Sequence, residues 1–488
     1  MTPPPQSFKP NTDSKIDPWS RGSLYKLLFS NVSKKIIVAV LFVSILLSYF
    51  LVLRTLNTTF DTAYPQFRGQ ASMRYGADVV DYAYLADDIA RGQFRDRWEG
   101  AAELFRTPGY PFFLFLANQV TGEKEKVVLN GWDKPIGDYN RVAYLNILMG
   151  TFAAITFFVI LAKFLSNRLS VFLTLAFAFE PTNLWQVMAI SSDGLFLFIL
   201  LLSLLCLIKF TLENRYEYGL LAVFLMSLDT LVRPSGLPLA LIVLMYILIL
   251  LVWSRRSLKG ALIGLVAFIV LSLPILPWMA RNYVETGYFT LSTLPSYAMF
   301  FNYIPYYKAD SQGLNRDEFI PQNTKEMLIL IGAPDGENAR TIKYHPQMDG
   351  YVQDFLKENF WSYLAFHIVS AKDFLFSSNP LLSTWQLNPA IRLYSAIEPY
   401  MWAAIYLLAL VGVMVSRHRF ALFLVALCAV VILTAGTFSS NARYLLPILP
   451  AIFLLAGLGL ERLLHVLSAA IPSLLRSIRS VSSLWTPS

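Results

Sequence analysis

The stretch "DVVDYAYLADDIARGQF" begins with two acids spaced one helical turn apart. Asp78 and Asp81 are three residues apart, so on a helix they share a face, with Tyr82 beside them. A carboxylate can take a proton from a reacting hydroxyl. Taken alone, the pair is equally consistent with capping or solvated acids. The later acids, Asp87 and Asp88, are predicted to lie on a solvated face.

Ionisable residues also recur at the ends of several apolar runs. They are Arg106 in "RTPGYP", Asp193 in "ISSDGLF", Arg233 in "LDTLVRPSG", Arg281 in "PWMARN" and Arg443 in "NARYLLPILP". A charged side chain near hydrocarbon is costly unless it pairs with an opposite charge or faces a water-filled cavity. Such residues are therefore functional candidates. Asp229 precedes Arg233 by one helical turn, so a simple ion pair between these two is the structural alternative.

The composition is that of a membrane protein. Of 488 residues, 56% are hydrophobic and 15% are charged, with a mean hydropathy of +0.51, whereas soluble domains carry about 25% charged residues. The net charge of +8 comes mainly from basic residues at segment ends, which is typical of cytoplasmic loops facing anionic lipid and not of a nucleic-acid surface. The cysteines lie in apolar runs and the histidines lack ligand spacing, so neither a disulfide framework nor a Cys/His metal site is predicted.

The hydropathy pattern predicts an all-α polytopic protein with about eleven transmembrane spans. The predicted spans lie near 36–53, 108–121, 142–162, 169–185, 193–209, 217–232, 236–253, 259–279, 396–415, 420–438 and 444–460. When the spans are counted forward from a cytoplasmic N-terminus, one loop between 121 and 235 falls on the wrong side of the membrane. Either 108–121 or 169–192 is therefore predicted to be re-entrant, or two of the spans are one.

Two long segments, 54–107 and 280–395, are too polar to span. The basic loops at 254–259 and 416–419 face the cytoplasm by the positive-inside rule, which places both polar segments on the opposite face. The predicted organisation is a disordered cytoplasmic tail at 1–20, a transmembrane module at 21–279 that includes the external loop 54–107, an external region at 280–395, C-terminal transmembrane helices at 396–462 and a cytoplasmic amphipathic tail at 463–488.

This topology places the candidate residues together at the outer face of the membrane. A site with carboxylates and arginines beside apolar helices suits a substrate with a phosphate head and a lipid tail. Arginine hydrogen-bonds and neutralises phosphate, and a carboxylate can deprotonate an attacking hydroxyl. Glycosyl transfer from a polyprenyl phosphate needs both.

The ordered motifs resemble the GT-C superfamily of polyprenyl-phosphate-sugar glycosyltransferases, especially family 39, the lipid A aminoarabinose transferases and the protein O-mannosyltransferases. In that family the first external loop carries an Asp, then a Tyr, then a Gly, at the spacing of Asp78, Tyr82 and Gly92. The second span of the family opens with a basic residue and a Pro-containing turn, to which "RTPGYP" is similar. The resemblance runs in order from about residue 36 to 462. It implies a GT-C-type bundle of about 11–12 transmembrane helices with extracytoplasmic loop helices.

The resemblance also implies residue roles and an inverting transfer at the outer face of the cytoplasmic membrane. Asp78 is implied as the base, with Asp81 and Asp193 as further catalytic acids. The donor phosphate would be bound by Arg106, Arg281, Arg443 and Arg233, and the site lined by Tyr82, Tyr110, Asn282 and Tyr444. The implied partners are a polyprenyl-phosphate-linked sugar, a glycan, lipid or protein acceptor and the bilayer, with no nucleic acid.

The sequence indicates no cofactor with certainty and leaves a divalent cation open; no Gly-rich phosphate loop lies between a strand and a helix. Two other functions are also consistent with the sequence. An O-antigen ligase or polymerase would use a diphosphate-linked donor and a large external loop, in which His345 and His367 would be the candidates. A lipid-linked glycan flippase would place charges at several depths along a pathway, and not at one face.

Overall fold

A computed structural model describes residues 33–63, 77–95, 102–121, 126–127, 136–137, 140–253, 257–333, 339–376, 389–416, 419–435 and 442–482. Within these residues the protein is helical apart from one short antiparallel hairpin, which confirms the all-α class. The tail predicted at 1–20, and part of the predicted loop 54–107, lie outside the described residues.

The elements follow one another with short connections. In chain order they are α1 Lys34–Ala63, α2 Ala77–Ala90, α3 Gly109–Thr121, β1 Lys126–Val127, β2 Ile136–Gly137, α4 Asn140–Leu161, α5 Asn167–Ala178, α6 Pro181–Met188, α7 Ser192–Glu213, α8 Tyr216–Val232, α9 Gly236–Trp253, α10 Ser257–Thr286, α11 Leu294–Ala298, a π-helical turn Met299–Tyr303, α12 Ile304–Ser311, α13 Arg316–Leu330, a 3₁₀ turn Ile342–Tyr344, α14 His345–Phe376, α15 Pro389–Val415, α16 Arg419–Ala435, a 3₁₀ turn Ala442–Leu445 and α17 Leu449–Ser482.

Seven of the described helices are long and apolar enough to cross a membrane. The crossing parts are Lys34–Thr55, Val142–Leu161, Ser192–Glu213, Gly236–Trp253, Leu258–Thr286, Arg392–Val415 and Leu449–Ser468. Large apolar side chains such as Leu265 and Leu407 are exposed on their outer surfaces, as expected for helix faces that contact lipid. The protein is therefore a multi-pass membrane protein.

The predicted span at 108–121 is not a transmembrane helix. The helix there, α3, has 13 residues and is therefore about 20 Å long, against a hydrocarbon core of about 30 Å. The hairpin that follows brings β2 back into contact with α2, on the side from which α3 started. The re-entrant alternative for this region therefore describes the structure.

The predicted span at 169–185 is two helices that meet at a break. Helix α5 ends before Phe179, and Pro181 occupies the first position of α6, where a missing backbone N–H costs nothing. The Glu180 carboxylate accepts a hydrogen bond from the Asn183 backbone N–H at 2.7 Å and caps α6. Together the two helices make one passage across the bundle.

Because α3 does not cross the membrane, the predicted count of eleven passages falls to ten, which resolves the parity of the chain. The seven long spans are α1, α4, α7, α9, α10, α15 and α17. We assign three further passages to α5 with α6 and to the 17-residue helices α8 and α16, which makes ten among the described residues. An even number returns the chain to the side on which α1 begins. The end of α9 and the end of α15 then lie on that side, and α2 and the segment after α10 lie on the other.

The polar segment that includes α2 packs against the polar segment that follows α10. The Ser292 hydroxyl donates to the Phe105 carbonyl at 2.8 Å, and the Thr293 backbone N–H donates to the Leu104 carbonyl at 2.9 Å. A cluster of aromatic side chains fills the interior of the second segment; it includes Phe300, Phe301, Tyr344, Phe355 and Tyr363. This small core stabilises the second segment from within.

Candidate functional site

Helix α2 presents the two acids of the first polar segment. Asp81 and Tyr82 are buried and Asp78 is half-buried on the same face, which is the face expected from their spacing. The helix ends before Gly92, whose φ of +73° is the left-handed conformation that favours glycine after a helix. Asp88, predicted to be solvated, is buried instead, because its carboxylate accepts a hydrogen bond from the Arg95 backbone N–H at 2.7 Å.

A tight turn before α3 presents Arg106. One oxygen of the Glu103 carboxylate accepts hydrogen bonds from the backbone N–H groups of Phe105 at 2.5 Å and Arg106 at 2.9 Å. On the other side of the turn, Gly109 lies against the end of α8, where an added Cβ would come within 2.7 Å of the Leu231 carbonyl. The turn is therefore fixed from both sides, and Arg106 is buried with it.

Three arginines from distant parts of the chain meet the two carboxylates of α2. The Arg106 Nη2 atom donates to the Asp78 Oδ1 atom at 2.7 Å and to the Asp81 Oδ2 atom at 3.1 Å. Arg443 donates to the Asp78 Oδ2 atom at 3.3 Å, and the Arg340 Nη1 atom donates to the Asp81 Oδ2 atom at 2.9 Å. One guanidinium nitrogen thus joins two carboxylates, each of which also contacts a further arginine. We call these five residues the arginine–carboxylate network.

Arg340 is a member of this network that the sequence did not indicate. It lies in the turn before the 3₁₀ helix Ile342–Tyr344. This position is outside any apolar run, so Arg340 is not among the charges at span ends. Its guanidinium lies over the rings of Phe105, at 4.6 Å, and Tyr297, at 5.8 Å. The sequence feature that points to it is its place in the second polar segment, but that segment contains several arginines.

Charge and burial shift the pKa values of two acids near the site in opposite directions. Burial by itself would raise the pKa of Asp78, but the Arg106 and Arg443 guanidiniums outweigh burial and hold that pKa well below its usual range. Burial raises the pKa of Glu103 to about 7, and its hydrogen bonds to two backbone N–H groups offset this only in part. Asp78 is therefore an anion that two cations stabilise, and a ligand that takes those cations will raise its pKa.

A second ion pair lies at the junction of α7 and α8. Asp193, near the start of α7, pairs with Arg233, which follows the end of α8. Arg233 is close enough to Asp78 to lower the pKa of Asp78. The alternative pair of Arg233 with Asp229 is not formed; Asp229 is fully buried and its carboxylate oxygens have no hydrogen-bond partner among the described residues.

The aromatic residues expected to line the site lie beside the network. The Tyr82 hydroxyl is 3.3 Å from the Ser192 hydroxyl, next to Asp193, and the Tyr82 ring packs edge-on against Tyr110. The Arg106 guanidinium lies over the Tyr82 ring at 5.0 Å. The Tyr444 hydroxyl accepts a hydrogen bond from Arg443 at 3.2 Å. These contacts link α2, α3 and the turn before α17 around the same acids.

Arg281 and Asn282 lie apart from the network contacts and support the turn from outside. The Arg281 guanidinium donates to the backbone carbonyls of Phe94 at 2.6 Å and Glu103 at 3.1 Å. The buried Asn282 amide donates to the Thr290 carbonyl at 2.8 Å. Arg281 thus ties the end of α10 to the first polar segment and Asn282 ties it to the second, so their contacts are those of positioning residues.

The two histidines of the rival ligase hypothesis do not meet. His345 and His367 lie on the same helix, α14, 22 residues apart and therefore about 33 Å apart along its axis. His345 is buried near the start of the helix, and the His367 Nε2 atom hydrogen-bonds the Ile432 carbonyl of α16 at 3.0 Å. A site that uses both imidazoles is excluded by this separation.

The acids near the site face guanidinium groups. Among the described residues, no group of three or more His, Cys, Asp or Glu side chains lies close enough together to hold a metal ion.

No protein-family model matches the chain, and no curated protein sequence matches it. A structural likeness exists to the crystal structure of the apo form of an oligosaccharyltransferase from Archaeoglobus fulgidus, at 14% identity and a TM-score of 0.40, over 87% of this chain and 52% of that one. The chain thus corresponds to about half the length of that protein. A likeness of this degree does not establish a family.

Proposed function

We propose that the protein is an integral membrane glycosyltransferase of the GT-C type, which transfers a sugar from a polyprenyl-phosphate donor to a glycan, lipid or protein acceptor of the cell envelope. The observation that carries the proposal is the arginine–carboxylate network at the end of the bundle where the spans meet the external segments. A network of this kind offers cations for a phosphate and a carboxylate for a hydroxyl proton at one place. The proposed location is the outer face of the cytoplasmic membrane.

Arg106 and Arg443 are the proposed ligands of the donor phosphate. The Arg106 side chain is buried, and its Nε atom has no hydrogen-bond partner among the described residues. A buried guanidinium with a vacant N–H group is a strong site for an anionic oxygen. Arg443 reaches the same carboxylate from the other side, so a phosphate near Asp78 would contact both arginines.

The proposed reaction is an inverting displacement. Asp78 takes the proton of the acceptor hydroxyl, the hydroxyl oxygen forms a bond to the anomeric carbon, and the bond from that carbon to the phosphate oxygen breaks. The leaving polyprenyl phosphate gains negative charge, which Arg106 and Arg443 stabilise. Because the phosphate competes with Asp78 for these arginines, donor binding raises the pKa of Asp78 toward the range of a useful base.

The test of the proposal is Asp78→Asn, which keeps the size of the side chain and removes the base. We expect a loss of transfer of about 10²–10⁴-fold, the usual contribution of a general base. The assay uses purified full-length protein and a synthetic polyprenyl-phosphate sugar, with elution volume and thermal unfolding to verify the fold. The matched control is Asp87→Asn, an exposed acid on the same helix, which should retain activity.

Two results would overturn this assignment. One is wild-type turnover by folded Asp78→Asn protein. The other is transfer by the wild-type protein from a polyprenyl-diphosphate sugar but not from the monophosphate, which would favour a ligase-like enzyme.

A further inference from the structure

Arg340 contacts the acid that the proposed reaction does not use as the base. Its Nη1 atom lies 2.9 Å from the Asp81 Oδ2 atom, and Asp81 is buried. Phe105 and Tyr297, which pack edge-on against each other at 5.2 Å, both lie under its guanidinium. The buried His345 hydrogen-bonds the backbone of Arg340. The second external segment therefore holds this arginine in a defined place against Asp81.

Arg106 is shared between the two acids, which limits its availability to a substrate. Its Nη2 atom contacts Asp78 at 2.7 Å and Asp81 at 3.1 Å. A buried carboxylate that loses its cation is strongly destabilised. Arg106 can therefore turn toward a phosphate at low cost only if Asp81 keeps another cation, and Arg340 is placed to be that cation.

We propose that Arg340 is a positioning residue that keeps Asp81 paired, so that Arg106 is released to the donor phosphate and Asp78 alone acts on the acceptor. This inference rests on the proposed function. It assigns different tasks to the two acids: Asp81 pairs with Arg340, and Asp78 takes the proton. It also assigns the second external segment a part in donor binding without direct contact between Arg340 and the phosphate.

The first measurement is the affinity of the purified full-length protein in lipid nanodiscs for polyprenyl phosphate, together with the donor KM and kcat. In Arg340→Ala, Asp81 draws Arg106 toward itself, so we expect affinity to fall and donor KM to rise by about tenfold, with a smaller change in kcat. Arg340→Lys should restore part of the affinity, since lysine supplies the charge without the planar fork. The control is Lys343→Ala, an exposed cation in the adjacent 3₁₀ turn, which should bind normally.

A double-mutant cycle with Asp81→Asn shows whether Arg340 acts through Asp81. Asp81→Asn removes the carboxylate that competes for Arg106, so this variant should bind polyprenyl phosphate at least as tightly as the wild type. If Arg340 acts only through Asp81, adding Arg340→Ala to Asp81→Asn should cause no further loss. A tenfold loss in both backgrounds would mean that Arg340 binds the phosphate itself and would overturn the inference.

The outcomes separate this inference from the proposed function. Unchanged affinity and donor KM in folded Arg340→Ala, with sugar transfer by the wild type, would overturn the inference and leave the proposed function standing. A wild-type protein that neither binds polyprenyl phosphate nor transfers sugar from it would overturn both. Arg340→Lys keeps the test valid if the alanine variant does not fold, since full loss of affinity in a folded lysine variant would also contradict a role that depends on charge.

Discussion

Arg106 is the residue whose substitution is most informative, because its guanidinium joins both acids and lies beside Tyr82. If it stabilises the leaving phosphate, the interaction strengthens in the transition state, and Arg106→Ala should lower kcat as well as donor binding. We expect a fall in kcat of about 10²–10³-fold. Arg106→Lys should recover only part of the rate, because a lysine cannot reproduce the planar fork.

Steady-state kinetics over a range of donor concentrations distinguish this role from a membrane anchor. An interfacial anchor needs only a cation, so lysine would replace it fully. Arg91→Ala, at an exposed arginine just after α2, is the control for a general loss of positive charge. Normal turnover of Arg106→Ala at saturating donor would exclude Arg106 from the reaction.

At the scale of elements, the turn of residues 103–106 depends on the ionisation of Glu103. Its pKa is raised to about 7 in the folded protein from an ordinary value of 4.5, with burial as the cause. The folded protein therefore holds a proton that the unfolded chain has released between about pH 4.5 and 7, and stability should fall as pH rises through this window. Above about pH 7 the buried Glu103 carboxylate is charged, which lowers the free energy of unfolding.

Glu103→Gln tests this dependence, since its amide oxygen can still accept the two backbone hydrogen bonds. At pH 8 the variant should unfold a few degrees above the wild type, and near pH 4.5 the difference should vanish or reverse. Thermal unfolding in detergent, followed by intrinsic fluorescence across pH 4.5–8, measures it. Glu318→Gln, an exposed acid on α13, is the control. A difference between Glu103→Gln and wild type that stays constant with pH would contradict the raised pKa.

At the scale of the whole molecule, ten passages place the network on the side opposite to the basic loops. We predict that this side is extracytoplasmic, because positively charged loops stay in the cytoplasm. With Cys206 and Cys428 replaced by serine, a membrane-impermeant maleimide should label Gln312→Cys in intact cells and Glu213→Cys only after permeabilisation. Both positions are exposed, at opposite ends of the bundle. The reverse labelling pattern would place the network in the cytoplasm and contradict the proposed use of an outward-facing donor.

The sequence by itself determined the features that depend only on residues close together in the chain. The apolar runs gave the long helices, since a span needs only a continuous stretch of apolar side chains. The three-residue spacing of Asp78 and Asp81 placed both acids on one face of α2. Arg106 and Arg443 were found as candidates because charges at the ends of apolar runs are uncommon.

Only the tertiary structure decided which of these charges meet. Arg340 reaches Asp81 across 259 residues of sequence, and Arg443 reaches Asp78 across 365. Arg233 pairs with Asp193 and not with Asp229, which lies four residues earlier in α8. Local periodicity indicates which way a side chain points from its own helix, but the partner it meets depends on how separate segments pack. For this reason the two acids and two of the three arginines of the network could be read from the sequence, whereas Arg340 and the pairing of each arginine with its acid required the fold.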